Sequence, residues 1–291
     1  MPLATLAAAA GPSPESPCPG TRRLTGRRRG LVTLVMVAAA VGLAGQAVDQ
    51  AAPTQATSAP ETARTWLGRT AELEEFLRTA RVVNVVDVPV GVTKPRRIYF
   101  EPGGLAESAA WKPLRPGIYR GHYESYRSEI AAYELDKVLG LDMVPVAVER
   151  SYEGQAGAAV LWVGPVKMLD EARGDRVPMV AGRRPLSEQV VRMRMFDALI
   201  NNTDRNQGNM LIDPSGYLIL IDHSRAFVAD RRLPRGLDRL EADLWARFDA
   251  LTQEEVERAV GSWLPRDQVR AVLSRRDLMR KMAVSQGLPV K

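Results

Sequence analysis

Between Ser187 and Ile200 the apolar residues Val190, Val191, Phe196, Leu199 and Ile200 supply the surface of a helix, and Ser187 reads as its N-cap. A polar run, Asn201 to Asn209, interrupts the pattern. Two short apolar runs follow, Met210–Ile212 and Tyr217–Ile221, joined by a turn at Pro214-Ser215-Gly216. The pattern predicts helix, polar loop, hairpin, and then Asp222 at the end of the second strand.

Upstream the period is that of strands. Val82 to Val90 is rich in valine, and Arg96 to Phe100 reads as its partner, with Gly91 to Pro95 between them as a short loop. Ala109 to Lys112 brings a lysine to the end of a short apolar run. Tyr123 to Leu139 reads as a helix stopped by Gly140, with Ala131, Leu135, Val138 and Leu139 on one stripe. Glu129 lies on another face, and Glu134 flanks the stripe. Pro145–Glu149 and Ala158–Trp162 read as two more strands, the second running into Trp162-Val163-Gly164-Pro165. Near the C-terminus, Thr252-Gln253-Glu254-Glu255 is a capping-box pattern ahead of Val256, Val260, Trp263 and Leu264. Arg275, Arg276, Arg280 and Lys281 read as a solvated helix face.

The chemistry lies in the polar loop. Asp204 and Asn209 are five positions apart, and Asp222 follows one hairpin later. That is the spacing of phosphoryl-transfer catalytic loops. One carboxylate orients the attacking hydroxyl, while an amide oxygen and a second carboxylate hold a hard cation against the phosphates. Spacing alone is a weak signal, since both residue types also stabilise ordinary turns. The surrounding order of elements strengthens it. A lysine and a glutamate should then meet upstream, and periodicity leaves Glu129 and Glu134 both open as partners of Lys112. The loop containing Thr93 is short enough to approach phosphates, and the Trp162-Val163 segment could offer backbone groups to a base, although Pro165 has no N–H to give.

Two blocks carry a family resemblance. Ser128-Glu129-Ile130-Ala131-Ala132-Tyr133-Glu134-Leu135 through Gly140 and Val144-Pro145 resembles the helix of the secretory-pathway kinases, the group of the Golgi casein kinase and four-jointed. Asp197-Ala198-Leu199-Ile200 through Asp204-Arg205, with Ile221-Asp222, resembles their catalytic loop and metal aspartate. Type II phosphatidylinositol 4-kinases and HipA kinases have similar loops. The resemblance spans roughly residues 81–227. It implies that Lys112 contacts phosphates, that Glu129 is the helix glutamate, that Asp204 is catalytic, and that Asn209 and Asp222 hold metal. Asp222 is followed by His223-Ser224 where those kinases have an asparagine-glycine pair, and their disulfide cysteines are absent. His223 reads as a local structural residue.

The N-terminus changes the picture of charge and location. Arg22, Arg23, Arg27, Arg28 and Arg29 precede an uncharged apolar run from Leu31 to Gly45, the layout of a secretory or twin-arginine signal, or of an uncleaved anchor through residues 31–48. Residues 49–65, rich in Ala, Pro, Thr and Ser, read as a linker. The chain has 291 residues and a net charge of +6, of which residues 1–47 supply +4. The remainder is nearly neutral and gives little reason to invoke nucleic acid. The single cysteine, Cys18, permits no disulfide within the chain.

The expectation is therefore an α+β, protein-kinase-like fold of two lobes over residues 66–291. An N-lobe sheet with one helix would occupy about 80–165, and a mostly helical C-lobe about 166–291. The resemblance implies ATP, with Mg²⁺ or Mn²⁺, as cofactors and a hydroxyl of a protein or lipid as acceptor. Secretory-type protein kinase, phosphatidylinositol-type lipid kinase and nucleotide-binding pseudokinase are the three readings. Export places the kinase-like domain outside the cytoplasm, secreted or membrane-anchored.

Overall fold

A computed structural model describes residues 62–89, 95–172 and 182–290. The signal or anchor segment, Thr93 and most of the 49–65 stretch lie outside the described residues. Residues 62–65, read as the end of a linker, are instead docked: the Thr62 hydroxyl and the Ala63 N–H donate to the Asp213 carboxylate at 2.7 and 3.1 Å, and Ala63 is fully buried. Helix α1 (Thr70–Thr79) follows. Its apolar positions are too few and too spread among charges to announce it in the sequence, and it buries Leu73 and Leu77.

An antiparallel five-stranded sheet runs in the order β1-β2-β3-β7-β6, built from β1 (Val82–Asp87), β2 (Arg96–Phe100), β3 (Ser108–Lys112), β6 (Ala147–Tyr152) and β7 (Gln155–Leu161). β2 has the predicted bounds, and β1 stops three residues short of Val90. Between β3 and the main helix sits a small hairpin, β4 (Gly117–Tyr119) and β5 (His122–Glu124), so Tyr123 belongs to a strand and not to the helix. Helix α2 (Tyr126–Leu139) has Ser125 as N-cap and ends on Gly140 in the left-handed region, φ 54°. It packs against β6 and β7, as does α1. Val138 points to solvent at 45 % exposure, so the buried stripe is Ala131, Ala132, Leu135 and Leu139.

A strand β8 (Lys167–Met168) leads to helix α3 (Leu186–Ile200). Pro185 occupies its N-cap position, and Ser187 is already within the first turn. Fixed φ at Pro185 starts the helix without a side-chain acceptor. The hairpin β9 (Met210–Ile212) and β10 (Leu218–Leu220) completes a sheet in the order β10-β9-β8. Helices α4 (Ala242–Ala250), α5 (Gln253–Val260) and α6 (Arg266–Ser285) finish the chain, α5 with the predicted capping box at Thr252 and Glu255. All three helices α3, α4 and α5 contact α6.

The architecture is a two-lobed, kinase-like α+β fold, as expected from the sequence. Its core includes Trp66, Trp111, Phe196, Phe227 and Trp245, each at most 2 % exposed. Burying a side chain of that size contributes about 1.5–3 kcal/mol or more. The basic residues of α6 depart from the expected solvated face: Arg276 is 15 % exposed and donates to the Leu251 carbonyl, and Arg280 pairs with the buried Asp249. Arg275, assigned to a solvated face, is fully buried and donates to the carbonyls of Leu199, Val228 and Asp230. Among the described residues no helix is long and apolar enough to cross a membrane.

Candidate active site

Lys112 ends β3, directly opposite Ala158 of β7. The close packing there depends on Gly157, where a Cβ would lie 2.7 Å from the Lys112 carbonyl oxygen. The lysine Nζ donates to Glu129 Oε1 at 2.6 Å and to Asp222 Oδ1 at 2.9 Å. Glu129 is thus the helix partner, and Glu134 pairs with Lys137 on the other side of α2. Burial alone would discharge both members of the pair. The opposite charges of Asp222 and Glu129 more than offset it and raise the lysine pKa. Burial likewise pushes Glu129 upward, but the Lys112 charge and hydrogen bonds from His223 and Lys112 outweigh it, and its pKa is lowered.

His223 fixes the other side of Glu129. Its backbone N–H donates to Glu129 Oε2 at 3.0 Å, with Nδ1 3.7 Å from the same oxygen. Its Nε2 lies 2.9 Å from Arg205 Nη2. A guanidinium can only donate, so Nε2 must accept, and the proton of the neutral ring sits on Nδ1 facing Glu129. Burial lowers the imidazole pKa, and the Arg205 charge adds to this, which keeps the ring neutral. The structural reading of His223 holds.

Helix α3 ends on Asn201 in the left-handed region, φ 53°, a conformation asparagine tolerates better than most residues. The loop that follows is organised by Arg205. It bonds both oxygens of Asp197 at 2.9 and 3.0 Å, and donates to the carbonyls of Asn209 and Ile221 at 2.8 and 2.7 Å. Asn202 Nδ2 also donates to Asp197, at 3.0 Å. The polar loop is thereby tied to both ends of the β9–β10 hairpin. Asn209 closes a 3₁₀ turn (Gln207–Asn209), with its Nδ2 3.4 Å from the Asp204 carbonyl. The Asp204 side chain is 44 % exposed and pairs with Arg225 Nη1 at 3.2 Å.

Asp222 adopts φ 59°, an uncommon conformation for a non-glycine residue. The segment after it is stitched to α2: Ser125 N–H donates to the Ser224 carbonyl at 2.9 Å, and the Ser128 hydroxyl to the Ala226 carbonyl at 3.1 Å. Phe227, also at positive φ and fully buried, donates its N–H to the Ile200 carbonyl.

Between the lobes lies a cleft of about 350 Å³. Lys112, Trp162, Val163, Asn209 and Asp222 line it, between apolar walls that include Ala110, Leu161, Met168 and Ile221. Trp162 is 40 % exposed under Arg97, whose guanidinium carbon is 4.3 Å from the ring centroid. The Trp162 N–H donates to the Ser108 carbonyl, which ties the cleft wall at Trp162 to β3. A larger cavity of about 740 Å³ lies beside Met193, Asp197, Leu237 and the polar-loop residues Asn202 and Thr203, and includes none of Lys112, Asp204 or Asp222. Among the described residues no three carboxylate, imidazole or thiol groups converge as a metal cluster.

The sequence reading did not assign roles to Asp197, Glu124 or Arg225. Asp197 carried a signal: a carboxylate within Met195-Phe196-Asp197-Ala198-Leu199-Ile200 must be paired when that helix is buried. Glu124 and Arg225 carried none, since only the fold brings together residues 101 positions apart.

The sequence matches no protein-family model and no curated protein. The fold does match solved structures. The Golgi casein kinase, crystallised with Mn/ADP bound, aligns with TM-score 0.52 at 17% identity, over 72% of this chain and 74% of that one. Hydra Fam20, solved with sugar, aligns with TM-score 0.57 at 16% identity, over 75% and 88%. The Helicobacter pylori proinflammatory kinase CtkA aligns with TM-score 0.50 at 11% identity, over 73% and 98%. At these identities the likeness is one of fold: the chain shares the two-lobed kinase-like fold of these structures.

Proposed function

We propose that this chain is a metal-dependent phosphotransferase that moves the γ-phosphate of ATP to a hydroxyl, and specifically a protein kinase of the secretory type. The observation that carries the reading is the position of Lys112 Nζ, 2.6 Å from Glu129 and 2.9 Å from Asp222 at the cleft wall. A buried ammonium held by two carboxylates is a costly arrangement for stability alone. It suits a site where a polyphosphate takes over part of the pairing.

Each residue has a role in this reading. The adenine lies between the apolar walls, with the Trp162 carbonyl and Val163 peptide as its polar contacts. Lys112, oriented by Glu129, binds phosphate oxygens. Asn209 and Asp222 hold Mg²⁺ or Mn²⁺. The donor set fits: one Asp222 oxygen accepts from Lys112 and Ser224, which leaves its second oxygen for a cation. Asn209 donates through Nδ2 to the Asp204 carbonyl, which leaves its amide oxygen. Carboxylate and amide oxygens suit a hard ion. Once bound, the ion neutralises charge on the phosphates. Asp204, whose side chain is 44 % exposed, orients the acceptor hydroxyl. Catalysis would come mainly from positioning and charge.

The Golgi casein kinase structure with Mn/ADP supports the cofactors. The arginine-led apolar N-terminus supports export. A reporter enzyme active only outside the cytoplasm, fused after Thr65, should be active.

The decisive assay is transfer from labelled ATP with Mg²⁺ or Mn²⁺, on protein lacking residues 1–47. Transfer to protein, with Asp204→Ala lowering turnover roughly 10²-fold and leaving ATP affinity within a few-fold, supports the reading. Metal-dependent ATP binding without transfer to protein, lipid or water would favour a pseudokinase. Transfer to phosphoinositide alone would favour a lipid kinase.

A further inference from the structure

Asp204 has a well-held backbone and a thinly held side chain. Its N–H donates to Asn202 Oδ1 at 3.3 Å, and its carbonyl accepts from Asn206 Nδ2 at 3.1 Å and Asn209 Nδ2 at 3.4 Å. The carboxylate has Arg225 Nη1 as its charged partner, at 3.2 Å.

Arg225 is held much more firmly. Its Nε donates to Glu124 Oε1 at 2.8 Å, and the Glu124 side chain is only 3 % exposed. Glu124 is the last residue of β5, one position before the α2 N-cap. The Ser125 N–H bonds the carbonyl of Ser224, the neighbour of Arg225. Two peptide segments therefore lie side by side and present Glu124 and Arg225 to each other. A buried carboxylate fixes the guanidinium, and the guanidinium's outer nitrogen reaches the half-exposed aspartate.

An ion pair with one exposed member contributes little stability, so fold maintenance is a weak explanation for the outer contact. Orientation is a stronger one, because a displacement of about 1 Å in a reacting group can cost about 10²-fold in rate. We propose that Arg225, anchored on Glu124, is a positioning residue that sets the side-chain geometry of Asp204 for phosphoryl transfer. The inference rests on the reading of this site as a phosphotransferase.

The test is a double-mutant cycle on the same truncated protein, with labelled ATP, Mn²⁺ and casein as a generic hydroxyl-rich acceptor. Transfer to the enzyme itself and to water is counted as well. Arg225→Ala should lower kcat by roughly 10- to 100-fold, with ATP–Mn²⁺ affinity within about threefold of wild type. Arg225→Lys should recover only part of the rate, since an ammonium cannot span both carboxylates. Glu124→Gln should lower kcat in the same direction with Arg225 intact, and Arg225→Gln serves as a second variant if alanine unfolds the segment. In the Asp204→Ala background, Arg225→Ala should change kcat by less than about twofold, because residues acting as one unit are not additive. Full turnover in Arg225→Ala, an equal loss of ATP affinity, or the same loss of kcat with and without Asp204 would each overturn the proposal. A wild-type protein that transfers no phosphate would sink the phosphotransferase reading and this inference with it. Normal wild-type transfer with additive variants would sink this inference alone.

Discussion

Gly157 of β7 lies against the carbonyl of Lys112: a Cβ there would be 2.7 Å from that oxygen and 2.8 Å from Pro113 Cα. Both atoms belong to the backbone, so no side chain can move aside. Gly157→Ala should displace the end of β3, and with it the lysine. Overpacking of this kind costs about 1–3 kcal/mol. Thermal melting should drop by several degrees, and ATP–metal affinity, measured by titration calorimetry, should weaken by more than the same substitution at exposed Gly154.

The Lys112–Glu129 pair makes stability depend on acidity. The Glu129 pKa is lowered from an ordinary 4.5 in the folded state, so its contribution is fully present above that value and is lost as pH falls below it. Glu129→Gln should destabilise the protein by about 3–5 kcal/mol near neutrality, since it leaves the ammonium with Asp222 alone. Denaturant titrations at about pH 7 and about pH 3 should show that gap between wild type and variant narrowing in acid. A gap that is constant or widens would contradict the assigned ion pair.

Asp222 tests the metal assignment through what ligand adds to stability. It is partly exposed and shares the Lys112 ammonium with Glu129. Asp222→Ala should itself melt below the wild type in the absence of nucleotide, because it leaves that buried ammonium with Glu129 alone. It should lose the extra stabilisation that ATP with Mn²⁺ gives the wild type. Equal stabilisation of both proteins, with and without metal, would remove Asp222 from the metal site.

Arg275 should prove as important for folding as any apolar residue. Burial lowers its pKa to about 10, so it stays charged at neutral pH, and its partners are carbonyls at the end of α3 and in the loop after Phe227. Arg275→Met strands those carbonyls at about 1–3 kcal/mol each. Urea unfolding should show a loss of at least about 3 kcal/mol, with Arg275→Lys recovering only part.

The parts of this fold legible in the sequence were those whose signals are local. The β2 strand, the glycine stop of α2, the Thr252 capping box and the helix–loop–hairpin order around Asp204 each depend on residues within a few positions of one another. Long-range pairings decided the rest. Glu129 and Glu134 are equivalent by periodicity; the resemblance favours Glu129, and the position of β3 brings Lys112 to it. Arg275 looked like a surface charge because the acceptors it serves are carbonyls, which every residue carries. The β4–β5 hairpin, three residues per strand, is too short to show alternation, and it shifted the start of α2 from Tyr123 to Tyr126.

The stitching of α2 to the segment after Asp222 has a consequence for control. Ser125 and Ser128 bond the carbonyls of Ser224 and Ala226, and Glu129 accepts from the His223 N–H. Swinging this helix outward, away from Lys112, would break all three contacts together and strand buried groups on both sides. These contacts tie the helix to the segment that follows Asp222, so an outward position of the helix would be a costly one. The output of the site would be governed by what reaches it: nucleotide, cation and acceptor.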